Sequence, residues 1–212
     1  MFIKFEELKN IENKLLFYPN AKLLIVTKNR PKNLILDLIE KGYNSFGENR
    51  VQEAFDKYHD IINDNIFLHL IGPLQSNKAK IALELFDTIQ TLDRPKLILE
   101  ISKLLKHLSK SKIKTKEFYI QVNIGKEIQK SGVLPDKLEE LYDLCLDHNL
   151  VISGLMCIPP KEKDPQIYFN EMIELRDKVN PSLKLSMGMS DDYETALNYQ
   201  SNCVRIGSRI FE

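Results

Sequence analysis

Eight short apolar runs recur along this 212-residue chain, and the segments between them carry apolar residues at helical spacing. The runs are Lys22–Thr27, Asn44–Gly47, Phe67–Ile71, Thr88–Leu92, Glu117–Asn123, Val151–Ile158, Leu183–Met189 and Asn202–Ile206. Between them, Leu97, Ile98, Ile101, Leu104, Leu105 and Leu108 mark one helix face, and Leu138, Leu141, Tyr142 and Cys145 mark another. Strands that alternate with helices are parallel strands joined by crossovers, and eight such units predict one α/β domain over 1–212, a closed (β/α)8 TIM barrel. The alternative, an open doubly wound sheet, lacks a G-x-G-x-x-G after the first run. About 250 residues is typical of the barrel, so this one is lean. The last run is followed at once by the end of the chain at Glu212, which predicts no helix after strand eight. Phe5, Leu8, Ile11 and Leu15 share a face of the opening segment, 2–17, and predict an extra amino-terminal helix that covers the gap.

Thirty basic side chains balance thirty acidic ones. A general nucleic-acid or membrane-surface binder usually carries a basic excess, so both classes are disfavoured while a small polar or anionic ligand stays open. No stretch approaches the roughly 20 apolar residues of a membrane span, and the charged amino terminus lacks the apolar core of a signal peptide. Cys145, Cys157 and Cys203 are odd in number, far apart and set in apolar runs, which reads as buried thiols in a reducing compartment and not as a disulfide framework or a metal site. The expectation is a cytoplasmic monomer.

In such a barrel the residues at the carboxyl ends of the strands form the active site. The first run ends in Lys28, with Leu24 and Val26 pointing inward below it if strand alternation holds. A lysine at a barrel mouth loses hydration, which frees its amine for imine formation; the competing reading is a solvated lysine that opens the loop Lys28-Asn29-Arg30-Pro31-Lys32. Gln121 and Asn123 share a strand face and suggest an inward polar pair, whereas His69 reads more readily as a satisfied core histidine. Ser76 could cap the helix that follows it or contact a ligand. The loop from Gly125 to Gly132 superficially resembles a Walker A loop but lacks the glycine before its lysine, which excludes nucleotide binding there.

The end of the chain is more specific. Strand seven closes with Ser186-Met187-Gly188-Met189-Ser190-Asp191-Asp192 and strand eight with Val204-Arg205-Ile206-Gly207-Ser208, so two of the chain's eight glycines fall where these barrels build phosphate sites. Ser190 could cap a helix over Asp192–Tyr199 and bring its positive end to an anion, although Asp191 and Asp192 oppose this unless they point away. An amine beside a phosphate cup is the pairing that pyridoxal 5′-phosphate requires.

The stretches GENRVQE, HLIGPLQSNK, IQVNIGKEIQKSG, GLM, LSMGMSDD and VRIGSRIF, with Lys28 on the first strand, resemble the pyridoxal phosphate homeostasis proteins over about residues 22–211. The resemblance implies a barrel like the amino-terminal domain of alanine racemases, with the cofactor as an imine on Lys28. It implies that Ser190, Gly207 and Ser208 hold the phosphate, that Arg205 faces the pyridine nitrogen, and that Asn49 lies near the ring. It also implies a carrier and regulator of cofactor supply without established turnover, with cofactor-dependent apo-enzymes as recipients. Two residues depart from the family pattern: Pro73 replaces a usual histidine, and Ser208 replaces a usual threonine but keeps the hydroxyl. Lys130, in the loop after strand five, is a candidate second amine.

The chemistry of Arg205 agrees with a carrier. Many enzymes of this cofactor set a carboxylate against the ring nitrogen to keep it protonated, whereas arginine cannot accept that proton and leaves the ring a weaker electron sink. The alternatives are a minimal amino-acid racemase, completed by an acid or base from another chain, and a Schiff-base aldolase that uses Lys28 on a phosphorylated sugar.

Overall fold

Each apolar run forms a strand in the computed structural model, which describes residues 2–212: β1 (Lys22–Val26), β2 (Ser45–Glu48), β3 (Phe67–Leu70), β4 (Thr88–Leu92), β5 (Glu117–Val122), β6 (Ile152–Cys157), β7 (Lys184–Met189) and β8 (Cys203–Ile206). They pair in parallel in chain order, and β8 pairs back on β1 with Leu24 opposite Arg205 and Ile25 opposite Ile206, so the barrel is closed. The helices are α1 (Phe5–Leu15), α2 (Lys32–Glu40), α3 (Val51–Tyr58), α4 (Ala79–Leu85), α5 (Pro95–His107), α6 (Leu138–Asp147), α7 (Pro165–Val179) and α8 (Tyr193–Asn198). The start of α7 is written locally: Asp164 accepts a hydrogen bond from the Gln166 amide at 3.0 Å, and Pro165 occupies the first helical position, where its missing N–H costs nothing.

Helices α2 to α8 follow strands β1 to β7, and α1 stands where a helix after β8 would stand. It bridges its two neighbours, with Lys14 on Glu194 of the α8 side at 2.8 Å and Glu12 accepting from Tyr43 of the α2 side at 3.2 Å. Those contacts are exposed, screened by solvent and weak. Burial of Leu8 and Ile11, both 0% exposed, contributes about 1.5–3 kcal/mol each and is what fixes the helix. The chain ends then pair: the Phe2 amide donates to the Glu212 carbonyl at 2.8 Å, and Ile3 bridges Phe211 in antiparallel fashion.

Most of the apolar core lies between the barrel and its helices. A separate cluster of Leu24, Val26, Ile71 and Cys203 lies inside, so Leu24 and Val26 do point inward. The interior also holds buried polar side chains, with Gln90, Ser186 and Arg205 at 1%, 0% and 3% exposure. At the end of β7 the register with β8 shifts between Ser186 and Met189, where Gly188 has φ +94°. A Cβ on Gly188 would lie 2.6 Å from the Cβ of Ala196, so only glycine lets α8 pack against this turn. No helix among the described residues is long and apolar enough to cross a membrane.

Candidate active site

Lys28, Asn49, Ser190, Arg205, Gly207 and Ser208 line one cavity of about 460 Å³ at the carboxyl ends of the strands. A slightly larger cavity of about 520 Å³ lies against α5 and α6, lined by Pro95, Leu141 and Leu144 among others, and contains none of these residues.

Lys28 is exposed at the rim, and its amine makes no hydrogen bond or ion pair among the described residues. Its backbone is held on both sides. Thr27 donates its hydroxyl to Glu48 Oε1 at 2.8 Å and lies 2.8 Å from the Tyr58 hydroxyl, while the Lys57 ammonium donates to the Thr27 carbonyl at 2.8 Å and to Glu48 Oε1 at 2.9 Å. On the other side the Asn29 amide donates to Glu53 Oε1, which also takes Lys57, both at 2.5 Å. Asn29 sits at φ +56°, a conformation its short polar side chain tolerates. Burial raises the Glu48 carboxyl above the usual range, against the pull of Lys57. Burial would also raise Glu53, but Lys57 and the Asn29 amide outweigh it and hold Glu53 low.

Asn49 is half-buried, and its position depends on a close approach: a Cβ on Gly72 would lie 2.2 Å from the Asn49 carbonyl oxygen. Ser190 does not cap α8, which begins at Tyr193. Its hydroxyl instead accepts from the Gly207 and Arg209 amides at 3.4 and 3.3 Å and so ties the loop after β7 to the loop after β8. Asp192 turns back and accepts from the Met189 amide at 2.6 Å, and Asp191 is exposed on the cavity lining.

Arg205 is buried at the cavity floor. It donates to Ser186 Oγ at 2.9 Å and to the Cys157 carbonyl at 2.7 Å, and no carboxylate among the described residues lies within ion-pair distance. Burial lowers its pKa, with Asp192 acting on it only at longer range. The roles of Ser186 and the Cys157 carbonyl are not marked in the sequence; the only signal for Ser186 is its even spacing from Gly188 and Ser190.

Other sequence candidates fall elsewhere. Gln121 and Asn123 hold the loop after β5, donating to the carbonyls of Ser131 at 3.0 Å and Glu127 at 2.8 Å. Lys130 pairs with Glu127 at 2.5 Å and donates to the Pro159 carbonyl at 3.0 Å, so its amine braces two loops. Pro73 is exposed outside the lining, and Ser76 opens a short 3-10 turn without a side-chain cap. The three cysteines are free and buried.

Residues 6–212 match the family model described as the alanine racemase N-terminal domain, which defines the class of this barrel. The pyridoxal phosphate homeostasis protein of Aquifex aeolicus is 39% identical over 90% of this chain and 86% of its own length, and that of Escherichia coli is 36% identical over 89% and 84%. The chain belongs to the pyridoxal phosphate homeostasis protein family. PipY of Synechococcus elongatus, solved with pyridoxal phosphate bound, superposes with a TM-score of 0.82 at 31% identity over 98% of this chain and 99% of that one. Alanine racemase of Clostridium difficile shares the fold alone, with a TM-score of 0.72 at 14% identity and this chain spanning 57% of it. These relationships favour the homeostasis reading over the racemase alternative.

Proposed function

We propose that this chain binds pyridoxal 5′-phosphate in the cavity at the carboxyl ends of its strands and keeps the cofactor available to other proteins. The observation that carries this reading is Arg205, a buried guanidinium held only by neutral acceptors, on the floor of a cavity whose rim carries an unpaired amine. An electron-rich anion that bears an aldehyde satisfies both groups. When bound, the cofactor supplies an aldehyde that condenses with a primary amine and releases water.

In this reading Lys28 Nζ holds the aldehyde carbon. Ser190, Ser208 and the Gly207 amide hold the phosphate, where hydroxyl and backbone donors from two loops converge. Arg205 donates to the pyridine nitrogen and keeps it unprotonated, and Asn49 lies beside the ring. We read the protein as a cytoplasmic, monomeric single domain whose recipients are cofactor-dependent apo-enzymes.

Titration of the purified protein with pyridoxal phosphate tests the reading. The expected result is a saturable new near-ultraviolet band at one equivalent per chain, lost in Lys28→Ala. No saturable change, or the same band in the variant, contradicts it.

A further inference from the structure

Four side chains from four strands form one hydrogen-bonded file through the barrel interior. Arg205 Nη1 on β8 lies 2.9 Å from Ser186 Oγ on β7, Ser186 Oγ lies 2.6 Å from Gln90 Oε1 on β4, and Gln90 Nε2 lies 3.1 Å from His69 Nδ1 on β3. Strands β4 and β7 are not neighbours in the sheet, so Gln90 and Ser186 meet only across the interior.

The file has one polarity, set from its Arg205 end. A guanidinium has donors only, so Ser186 accepts from it and passes its own proton onward. Gln90 must therefore present its carbonyl to Ser186, which turns its NH₂ toward His69. His69 then accepts at Nδ1, which places its proton on Nε2. Burial holds the His69 imidazole down at about 4, with Glu117 pulling it up and Lys22 and Lys184 pushing it further down. Those three are the first residues of β5, β1 and β7, so this end of the file lies toward the opposite mouth of the barrel.

We propose that Gln90 is a positioning residue for Arg205: through Ser186 it fixes the guanidinium at the cavity floor, and His69 in turn fixes the orientation of Gln90. The choice of an amide has a consequence for charge. Gln90, Ser186 and the Cys157 carbonyl hold Arg205 without neutralising it, so its whole charge remains for whatever enters the cavity. A carboxylate at position 90 would fill the same space and compensate that charge from within. The effect on ligand affinity rests on the cofactor reading above, but the polarity of the file does not.

Two measurements test the proposal. Nitrogen NMR of the His69 ring, without added cofactor, should show a neutral imidazole protonated on Nε2 at pH 6, and Ser186→Ala, two residues along the file, should erode that tautomer preference. Gln90→Glu removes the donor that faces His69, so the ring should donate from Nδ1 instead and keep its second proton to higher pH. The same variant should bind pyridoxal phosphate about tenfold more weakly or worse, by partial compensation of Arg205. A wild-type His69 protonated on Nδ1 overturns the proposal, as does a Gln90→Glu protein with an unchanged His69 titration. Should Gln90→Glu not fold, the wild-type tautomer and its response to Ser186→Ala decide the matter. If the wild type binds no pyridoxal phosphate, the cofactor reading fails while the His69 measurements still judge the file.

Discussion

The Nζ of Lys57 lies 2.8 Å from the carbonyl oxygen of Thr27, the residue before Lys28, and 2.9 Å from the fully buried carboxylate of Glu48. One ammonium therefore holds the end of β1 and offsets a charge that would otherwise be stranded behind it. Lys57→Met leaves that carboxylate without its counter-charge and should cost about 3 kcal/mol of stability, the low end for breaking a buried pair because Glu48 keeps its hydrogen bond from the Thr27 hydroxyl. Denaturant unfolding measures this. Adding Glu48→Gln to Lys57→Met should recover much of the loss; an additive double variant would show that the pair is not coupled.

The phosphate end of the site predicts a different signature. Ser190 Oγ lies between the Gly207 and Arg209 amides, and a hydrogen bond to a charged group is worth about 1.5–3 kcal/mol, so Ser190→Ala should weaken pyridoxal phosphate binding by roughly tenfold or more. The variant should leave the weaker affinity for pyridoxal, which lacks the phosphate, nearly unchanged. Equal losses for both ligands would place Ser190 away from the phosphate.

His69 gives stability a pH dependence of known sign. Its pKa falls from an ordinary 6.5 to about 4 on folding, so the unfolded chain binds more protons between those values. The stability tied to its neutral form is fully present above pH 6.5 and is lost as the pH falls through the folded value. Unfolding should take up close to one extra proton near pH 5, and His69→Leu should remove that uptake even where it lowers stability at pH 7. An unchanged pH slope in His69→Leu contradicts the assignment.

The eightfold rhythm of apolar runs was enough to read the barrel, because helical and strand periodicities differ and each crossover repeats the contrast. The packing of α1 onto the barrel was legible too, from the apolar face of Phe5, Leu8, Ile11 and Leu15. The six cavity residues were legible as strand-end residues within specific motifs. The interior file was not. Gln90, Ser186 and His69 sit in short strands, and their meeting across the barrel depends on register shifts such as that between Ser186 and Met189, which no local pattern encodes. Ser190 was misread as a possible helix cap for a related reason: the backward turn of Asp192 onto the Met189 amide starts α8 later and frees Ser190 to face β8.

The central claim is that Lys28 is the amine that holds the cofactor. The direct measurement is mass spectrometry of the intact protein after incubation with pyridoxal phosphate and borohydride reduction, followed by peptide mapping. The account predicts one phosphopyridoxyl adduct per chain, on Lys28, and its absence from Lys28→Ala. A stoichiometric adduct on Lys130 or any other lysine, with Lys28 unmodified, would contradict it.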